Sequence, residues 1–338
     1  MRKLFFILGI SLGILIIINL IWIGMNLFFM AKDGLQSLLQ DRNLIESIYY
    51  SIYLRWILLI DIIWISIALA FMFRRKTYKT DSKLHYLHYE PITKPKLTII
   101  IPSFNEELSI GKVVDDFFKH PMVKSVIVID NNSSDKTTEI AEKSGASVIR
   151  KNENKGYSHS LVLGLREALK TDCNIIGTTE ADGTYNAYDL NKMIPYLNNC
   201  DMVIGTRQSQ VITEKGNQNS LFHVWGNFFL AKLIQIKYFN LNHMGVVNLT
   251  DVGCVYRLIK RTSLEKIIDD LTYPNSDSPI GGIGIGLFFT MLGIEKDLRI
   301  IEIPVTFNKR IGRSKIQSNK FPKAVKVGFN FLWLILTK

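Results

Sequence analysis

The run Leu97-Thr98-Ile99-Ile100-Ile101, closed by Pro102, decides the reading of this 338-residue chain. It is continuous in β-branched and apolar residues, the pattern of a strand covered on both faces. A helical stretch follows at about 107–119, then a second apolar strand, Val126–Ile129, ending at Asp130. A helix is expected to start near Ser134, with Ser134, Asp135 and Glu139 at its N-terminus. Val148–Ile149 is a short strand, residues 156–169 are helical, and Asn174–Gly177 leads as a strand into Glu180. Strands alternating with helices predict an α/β domain with a mostly parallel sheet. In such sheets ligands bind beyond the carboxyl ends of the strands. Asp130 and the triplet Glu180-Ala181-Asp182 stand at two of those ends.

The second half is less regular. Met202–Gly205 is a strand leading to Thr206-Arg207, residues 219–238 form an apolar, aromatic helix, and Arg299–Val305 is another strand. The glycine cluster Gly281-Gly282-Ile283-Gly284-Ile285-Gly286 does not fit GxGxxG and does not follow a first strand. It reads as a loop leading into a helix at Leu287–Leu292, which argues against a dinucleotide-dependent oxidoreductase.

The N-terminus has another character. No charged residue occurs from Leu4 to Ala31, and Trp56–Phe73 carries only Asp61. A helix needs roughly 20 apolar residues to cross a bilayer. The first run is longer than the roughly 7–15 apolar residues of a signal peptide, and a second run follows, so two retained spans are expected. Arg2 and Lys3 precede the first, and Arg74, Arg75 and Lys76 follow the second. The positive-inside rule puts both ends, and the domain that follows, in the cytoplasm. Asp61 is expected to pair with Arg55 or to stay protonated. Residues 1–76 are thus a transmembrane hairpin, 77–96 a linker, 97–318 the catalytic domain, and 319–338 an amphipathic segment on the membrane surface.

The net charge of +11 has no basic-aromatic RNA signature beside it. It points to anionic lipid and a phosphate-bearing substrate rather than to nucleic acid. Cys173, Cys200 and Cys254 are widely separated, without a CxxC pair, as in a reducing compartment. His85 and His88 lie in the linker with no further ligands near them.

Taken singly, the candidate residues are ambiguous. Asp130, followed by Asn131, Asn132, Ser133 and Ser134, could accept hydrogen bonds from a ribose or base, or could be a cap. Glu180 and Asp182, separated by one small residue, could converge on a hard divalent cation, or could form a polar turn with Gly183. Lys309 to Lys315 is a basic loop after a strand, suited to phosphate oxygens or to a solvated patch facing lipid.

Their order resembles that of family 2 glycosyltransferases, and within them the dolichyl-phosphate mannosyltransferase-like and polyprenyl-phosphate glycosyltransferase-like group. The Pro-x-x-Asn-Glu motif is Pro102-Ser103-Phe104-Asn105-Glu106. The strand-end Asp and its turn are Asp130 to Thr137, and the Asn-x-Gly-Lys-Gly-like loop is Asn152 to Gly156. The Asp-x-Asp motif is similar to Glu180-Ala181-Asp182. The remaining elements are Gly205-Thr206-Arg207, Asp251 to Arg257, and Glu302-Ile303-Pro304 followed by Arg310 to Lys315. Glu180 stands for the usual first Asp, Asn131 for a frequent Asp, Asn154 for a Gly, and Cys254-Val255 for a Ser-Gly.

The resemblance implies a GT-A fold and an inverting transfer of a hexose from a nucleotide-diphosphate sugar of GDP-mannose or UDP-glucose type. The acceptor would be a polyprenyl or dolichyl phosphate. It implies that Pro102, Asn105, Glu106, Asp130, Asn131, Lys155, Gly156 and Ala181 bind the nucleotide, and that Glu180 and Asp182 hold Mg²⁺ or Mn²⁺. Arg310, Arg313 and Lys315 would act with Asp182 on the diphosphate. Arg207, Asp251, Arg257 and Ser314 would meet sugar and acceptor, with Asp251 as base if the acceptor is a hydroxyl. A hydroxyl-acceptor enzyme of cell-surface glycan assembly and a catalytically silent membrane scaffold remain the alternatives. The Gln-x-x-Arg-Trp motif of processive synthases is absent from the sequence. A homo-oligomer is left open.

Overall fold

The computed structural model describes residues 11–22, 24–25, 28, 58–66, 87–217, 220–238, 248–271, 284–312 and 321–337. The chain divides into two compact units, one of Met1–Thr77 with Leu336–Lys338, the other Tyr78–Ile335.

In the first unit, residues 11–22 and 58–66 are helical. Ile17, Leu20 and Ile62 are more than half exposed. The polar side chains instead meet each other. Asn19 Nδ2 donates to Asp61 at 3.0 Å, and Trp64 Nε1 donates to Ser11 Oγ at 2.8 Å. Asp61 therefore has Asn19 as a partner; Arg55, the one expected, lies outside the described residues. No helix among the described residues is long and apolar enough to cross a membrane. The expected runs Leu4–Ala31 and Trp56–Phe73 are described only in part.

The second unit is built on a seven-stranded sheet in the order β3-β2-β1-β4-β6-β5-β7. The strands are β1 (Leu97–Ser103), β2 (Val123–Asp130), β3 (Ser147–Arg150), β4 (Ile175–Thr178), β5 (Met202–Thr206), β6 (Arg257–Lys260) and β7 (Ile300–Pro304). β1, β2, β3 and β4 run parallel, β6 is antiparallel to both β4 and β5, and β7 is parallel to β5. All strands but β6 therefore end at one edge. Every residue of β1 is buried, as its unbroken apolar run requires.

The helix Gly156–Ala168 packs on this sheet through Gly164. A Cβ added at Gly164 would overlap Ile100 Cγ2 and lie 3.2 Å from Ile129 Cγ1. Gly164→Ala is accordingly expected to destabilise the domain by about 1–3 kcal/mol, although alanine is the better helix former. Denaturant unfolding measures this; a stabilised variant would show that the helix can shift away.

Several boundaries differ from expectation. The helix expected at Ser134 starts at Thr137, because the Asp135 carboxylate takes the Thr137 backbone N–H at 3.0 Å and holds the preceding turn. Of the glycine cluster, Gly281, Gly282 and Ile283 lie outside the described residues, and Gly286 lies inside a buried helix, Ile285–Glu295. The expected linker is partly integrated. Glu90 N donates to Asn198 O at 2.8 Å, and its carboxylate pairs with Lys260 at 3.2 Å. The C-terminal segment is a helix, Phe321–Thr337, that buries Phe331, Leu334 and Ile335 in the core and exposes Phe329 and Trp333. Lys237, on the helix Leu221–Lys237, donates to Ile335 O at 2.5 Å.

Candidate active site

The shared edge of the sheet gathers most of the expected residues. Asn105 and Glu106 follow β1, Asp130 ends β2, Glu180 and Asp182 follow β4, Arg207 follows β5, and Arg310 follows β7. Asp251 stands just before β6, and the reversed direction of β6 brings it to the same edge.

The nucleotide side is a laced set of loops. Asp130 is fully buried and accepts from Ser133 N at 3.2 Å, from Thr138 Oγ1 at 3.0 Å, and from Ser133 Oγ. Its carboxylate thus caps the turn that follows. Arg150 Nε lies 3.6 Å from it. Asn105 adopts φ 53°, which asparagine tolerates, and its Oδ1 accepts from Ser134 N at 2.8 Å. Asn131 Oδ1 accepts from Lys151 Nζ at 2.5 Å and from Lys155 N at 3.1 Å. Lys151 escaped the sequence reading, since nothing marks a single lysine after a short strand. Burial, with Lys155 beside it, pushes its ammonium down to about 8. Gly156 opens the next helix at φ 84°, a left-handed conformation that suits glycine. Pro102, within β1, and Ala181, in the turn after β4, are both buried.

The carboxylate pair sits at the centre. Asp182 is buried, and its Oδ1 accepts from Thr184 N at 3.0 Å and Thr184 Oγ1 at 2.6 Å. Thr184 Oγ1 also reaches Glu180 Oε2 at 3.2 Å. The polar-turn reading is realised here, with Gly183 at φ 79°. The turn also holds two carboxylates close enough to oppose each other. Burial, and next Asp182, raise the Glu180 pKa. Arg310 bridges the site: its guanidinium lies 2.7 Å from Asp182 Oδ2 and 2.5 Å from Glu106 Oε1. The loop is fastened by Ile311 N to Asp182 O and Asn308 N to Thr184 O, both 2.9 Å. Arg313, Ser314 and Lys315 lie outside the described residues.

The third cluster is a buried ion pair. Arg207 grips Asp251 with two bonds of 2.7 Å, and stacks over Phe307 at 5.3 Å. Burial pushes the Asp251 carboxyl up, but the Arg207 guanidinium outweighs this and holds it below the ordinary carboxylate range. An ionised carboxylate already holding a guanidinium is a poor proton acceptor, so the geometry speaks against Asp251 as a general base. Arg257 is also placed differently from expectation. It is 1% exposed and donates to Gly286 O, Cys254 O and Thr290 Oγ1, inside the fold rather than toward an acceptor.

Glu302, beneath this cluster, accepts from Thr250 N and Oγ1 at 2.7 Å and from Asp251 N at 2.9 Å. Burial raises its carboxyl from 4.5 to about 7. The folded state thus holds the proton more tightly than the unfolded state. Stability from this group is complete below pH 4.5 and is lost as pH rises to about 7. Glu302→Gln should remove that part of the slope, read from unfolding free energy between pH 5 and 8; an unchanged slope would refute the assignment.

Glu180 and Asp182 also test the implied metal. Among the described residues no group of three or more His, Cys, Asp or Glu side chains could hold a cation. Mg²⁺, however, is commonly bound by one or two carboxylates, with substrate phosphates and water completing the octahedron. Glu180 and Asp182, both within reach of the Thr184 hydroxyl, are two carboxylates held close together, and they fit that kind of site.

Known proteins resemble this chain in sequence and in fold. The sequence profile of glycosyl transferase family 2 matches residues 98–268. The uncharacterized protein MJ1222 of Methanocaldococcus jannaschii is 31% identical over 216 residues, 63% of this chain and 82% of that one. The undecaprenyl-phosphate mannosyltransferase of Micrococcus luteus is 24% identical, over 68% of this chain and 91% of its own. Glucosyl-3-phosphoglycerate synthase from Mycobacterium tuberculosis, solved with Mn²⁺, uridine diphosphate and phosphoglyceric acid, superposes with a TM-score of 0.51 at 16% identity. The match covers 74% of this chain and 84% of that one, and shows a common GT-A fold.

Proposed function

The chain belongs to glycosyl transferase family 2, and on that premise we propose that this glycosyltransferase moves a hexose, with inversion, from a nucleotide-diphosphate sugar to a polyprenyl or dolichyl phosphate. The observation that carries the acceptor class is the Arg207–Asp251 pair. A hydroxyl acceptor needs a carboxylate free to take its proton. A phosphate monoester is already ionised near neutral pH and needs none. The Micrococcus luteus relative, named for undecaprenyl phosphate, supports the same class.

In this reading one oxygen of the acceptor phosphate attacks the anomeric carbon. The bond from that carbon to the donor's diphosphate breaks, and the diphosphate leaves with the electron pair. Glu180 and Asp182 would hold Mg²⁺ or Mn²⁺, which neutralises charge developing on the diphosphate. Glu106 and Asp182 keep Arg310 beside the same place, ready to donate to phosphate oxygens. The nucleotide lies along Pro102 to Glu106, Asp130, Asn131 and the loop of Lys155 and Gly156. A GDP- or UDP-linked hexose is the donor class.

The N-terminal unit would anchor the enzyme, with the catalytic domain on the cytoplasmic side. Its described helices turn apolar side chains outward and pair Asn19 with Asp61 and Trp64 with Ser11, the arrangement expected of helices in lipid. Membranes carrying the full chain, incubated with labelled GDP- and UDP-sugars and then extracted, should yield label in a mild-acid-labile lipid. Label confined to protein or polysaccharide would sink the lipid-phosphate acceptor.

A further inference from the structure

Tyr157 belongs to no motif of the sequence, and it is chemically out of place. It opens the first turn of the helix Gly156–Ala168, one residue after the left-handed Gly156. Its hydroxyl is buried and has no hydrogen-bond partner. Buried polar atoms are nearly always satisfied, so an orphan hydroxyl at a site edge needs a reason.

The sheet register shows what it faces. Paired residues of neighbouring strands point to the same side of a sheet. Ile100 pairs with Thr178, and Thr178 pairs with Arg257. Ile100 is also the residue under Gly164 of the Tyr157 helix, so that helix, Thr178 and Arg257 share one face. Glu180 follows two residues after Thr178, just past the end of β4. After burial itself, the groups that act on the phenol across this face are Glu180, Arg257, Asp182 and Cys254. The hydroxyl is thus buried on the face of the sheet whose strand β4 leads to the carboxylate pair.

The guanidinium groups nearest the carboxylate pair are already engaged: Arg310 lies 2.7 Å from Asp182 Oδ2, and Arg207 holds Asp251. Arg257 is turned to the carbonyls of Gly286 and Cys254 and to Thr290. The phenol is neutral and has no charge to offer a diphosphate oxygen; it suits a sugar hydroxyl, because a phenol can both donate to and accept from one.

We infer that Tyr157 is a substrate-contacting residue whose hydroxyl bonds a hydroxyl of the donor's hexose, and so helps to select the sugar. This rests on the donor class proposed above.

The test is Tyr157→Phe in the full-length protein. The variant should raise KM for the accepted nucleotide sugar about tenfold, one charge-free hydrogen bond's worth or slightly more. Binding of the matching nucleoside diphosphate, which has no hexose, should be unchanged by calorimetry. The melting temperature of the ligand-free protein should be equal or about 2 °C higher, since an unpartnered buried hydroxyl has been removed. An unchanged KM, or equal loss for nucleoside diphosphate and nucleotide sugar, overturns the inference. A fall in melting temperature also overturns it, because the hydroxyl would then have a partner within the fold. If the unaltered protein accepts no nucleotide sugar, the donor reading itself has failed, a different result from an active enzyme indifferent to Tyr157→Phe.

Discussion

Asp182→Asn is expected to abolish sugar transfer, by roughly a thousandfold or more, while leaving the domain folded. A divalent cation at a leaving diphosphate is worth several kcal/mol, and each 1.4 kcal/mol is about tenfold in rate. Asn is nearly isosteric and keeps an oxygen for the Thr184 N–H and hydroxyl that Asp182 Oδ1 now accepts. Two electrostatic changes then oppose each other. The variant loses the ion pair with Arg310 and relieves the repulsion that helps raise the Glu180 pKa. The net cost in stability is expected to be within about 1 kcal/mol, since Arg310 keeps its bond to Glu106. Initial rates over a Mn²⁺ titration, beside a thermal melt, separate the two effects. A folded variant with ordinary metal-dependent activity would remove Asp182 from the proposed cation site.

Much of this site was readable because strand ends are readable. LTIII, VIVI and Asn174–Gly177 read as strands whose ends lie at the rim of a parallel sheet, so position puts Asp130, Glu180 and Asp182 there, and the resemblance to family 2 glycosyltransferases supplies their expected roles. What they touch did not follow. The Glu106–Arg310 bond joins residues 204 apart in sequence, and only the neighbourhood of β1, β4 and β7 loops creates it. The inward turn of Arg257 depends on β6 entering the sheet antiparallel between β4 and β5, and no local pattern reports that. Lys151 looks like a surface charge in sequence, and Glu302 is marked only as part of the Glu302-Ile303-Pro304 element; burial is what sets both apart. Tyr157 reads as an ordinary aromatic of a helix until its hydroxyl is found without a partner.

Asp251→Ala is the second large effect, this time on stability, with an expected loss of about 3–5 kcal/mol. Asp251 is 2% exposed, and it takes both bonds of the Arg207 fork as well as the backbone N–H groups of Arg207 and Gly253. Removing the carboxylate leaves a guanidinium desolvated and without its counter-charge, which costs more than the pair itself contributes. The close fit makes rearrangement difficult: a Cβ at Gly253 would lie 2.9 Å from Arg207 Nη2, so there is little space for the fork to swing. Replacing both partners by apolar residues, Arg207→Met with Asp251→Leu, should recover most of the stability but none of the transfer. That split distinguishes the two roles of the pair, because a hydrophobic substitute can fill the volume and cannot meet a phosphate. Denaturant unfolding of Arg207→Met, of Asp251→Leu and of the double variant gives the coupling energy directly. A cost below about 1 kcal/mol for Asp251→Ala would mean that the pair is solvated in practice. Asp251 would then be free enough to act as a base, and the hydroxyl-acceptor reading would return.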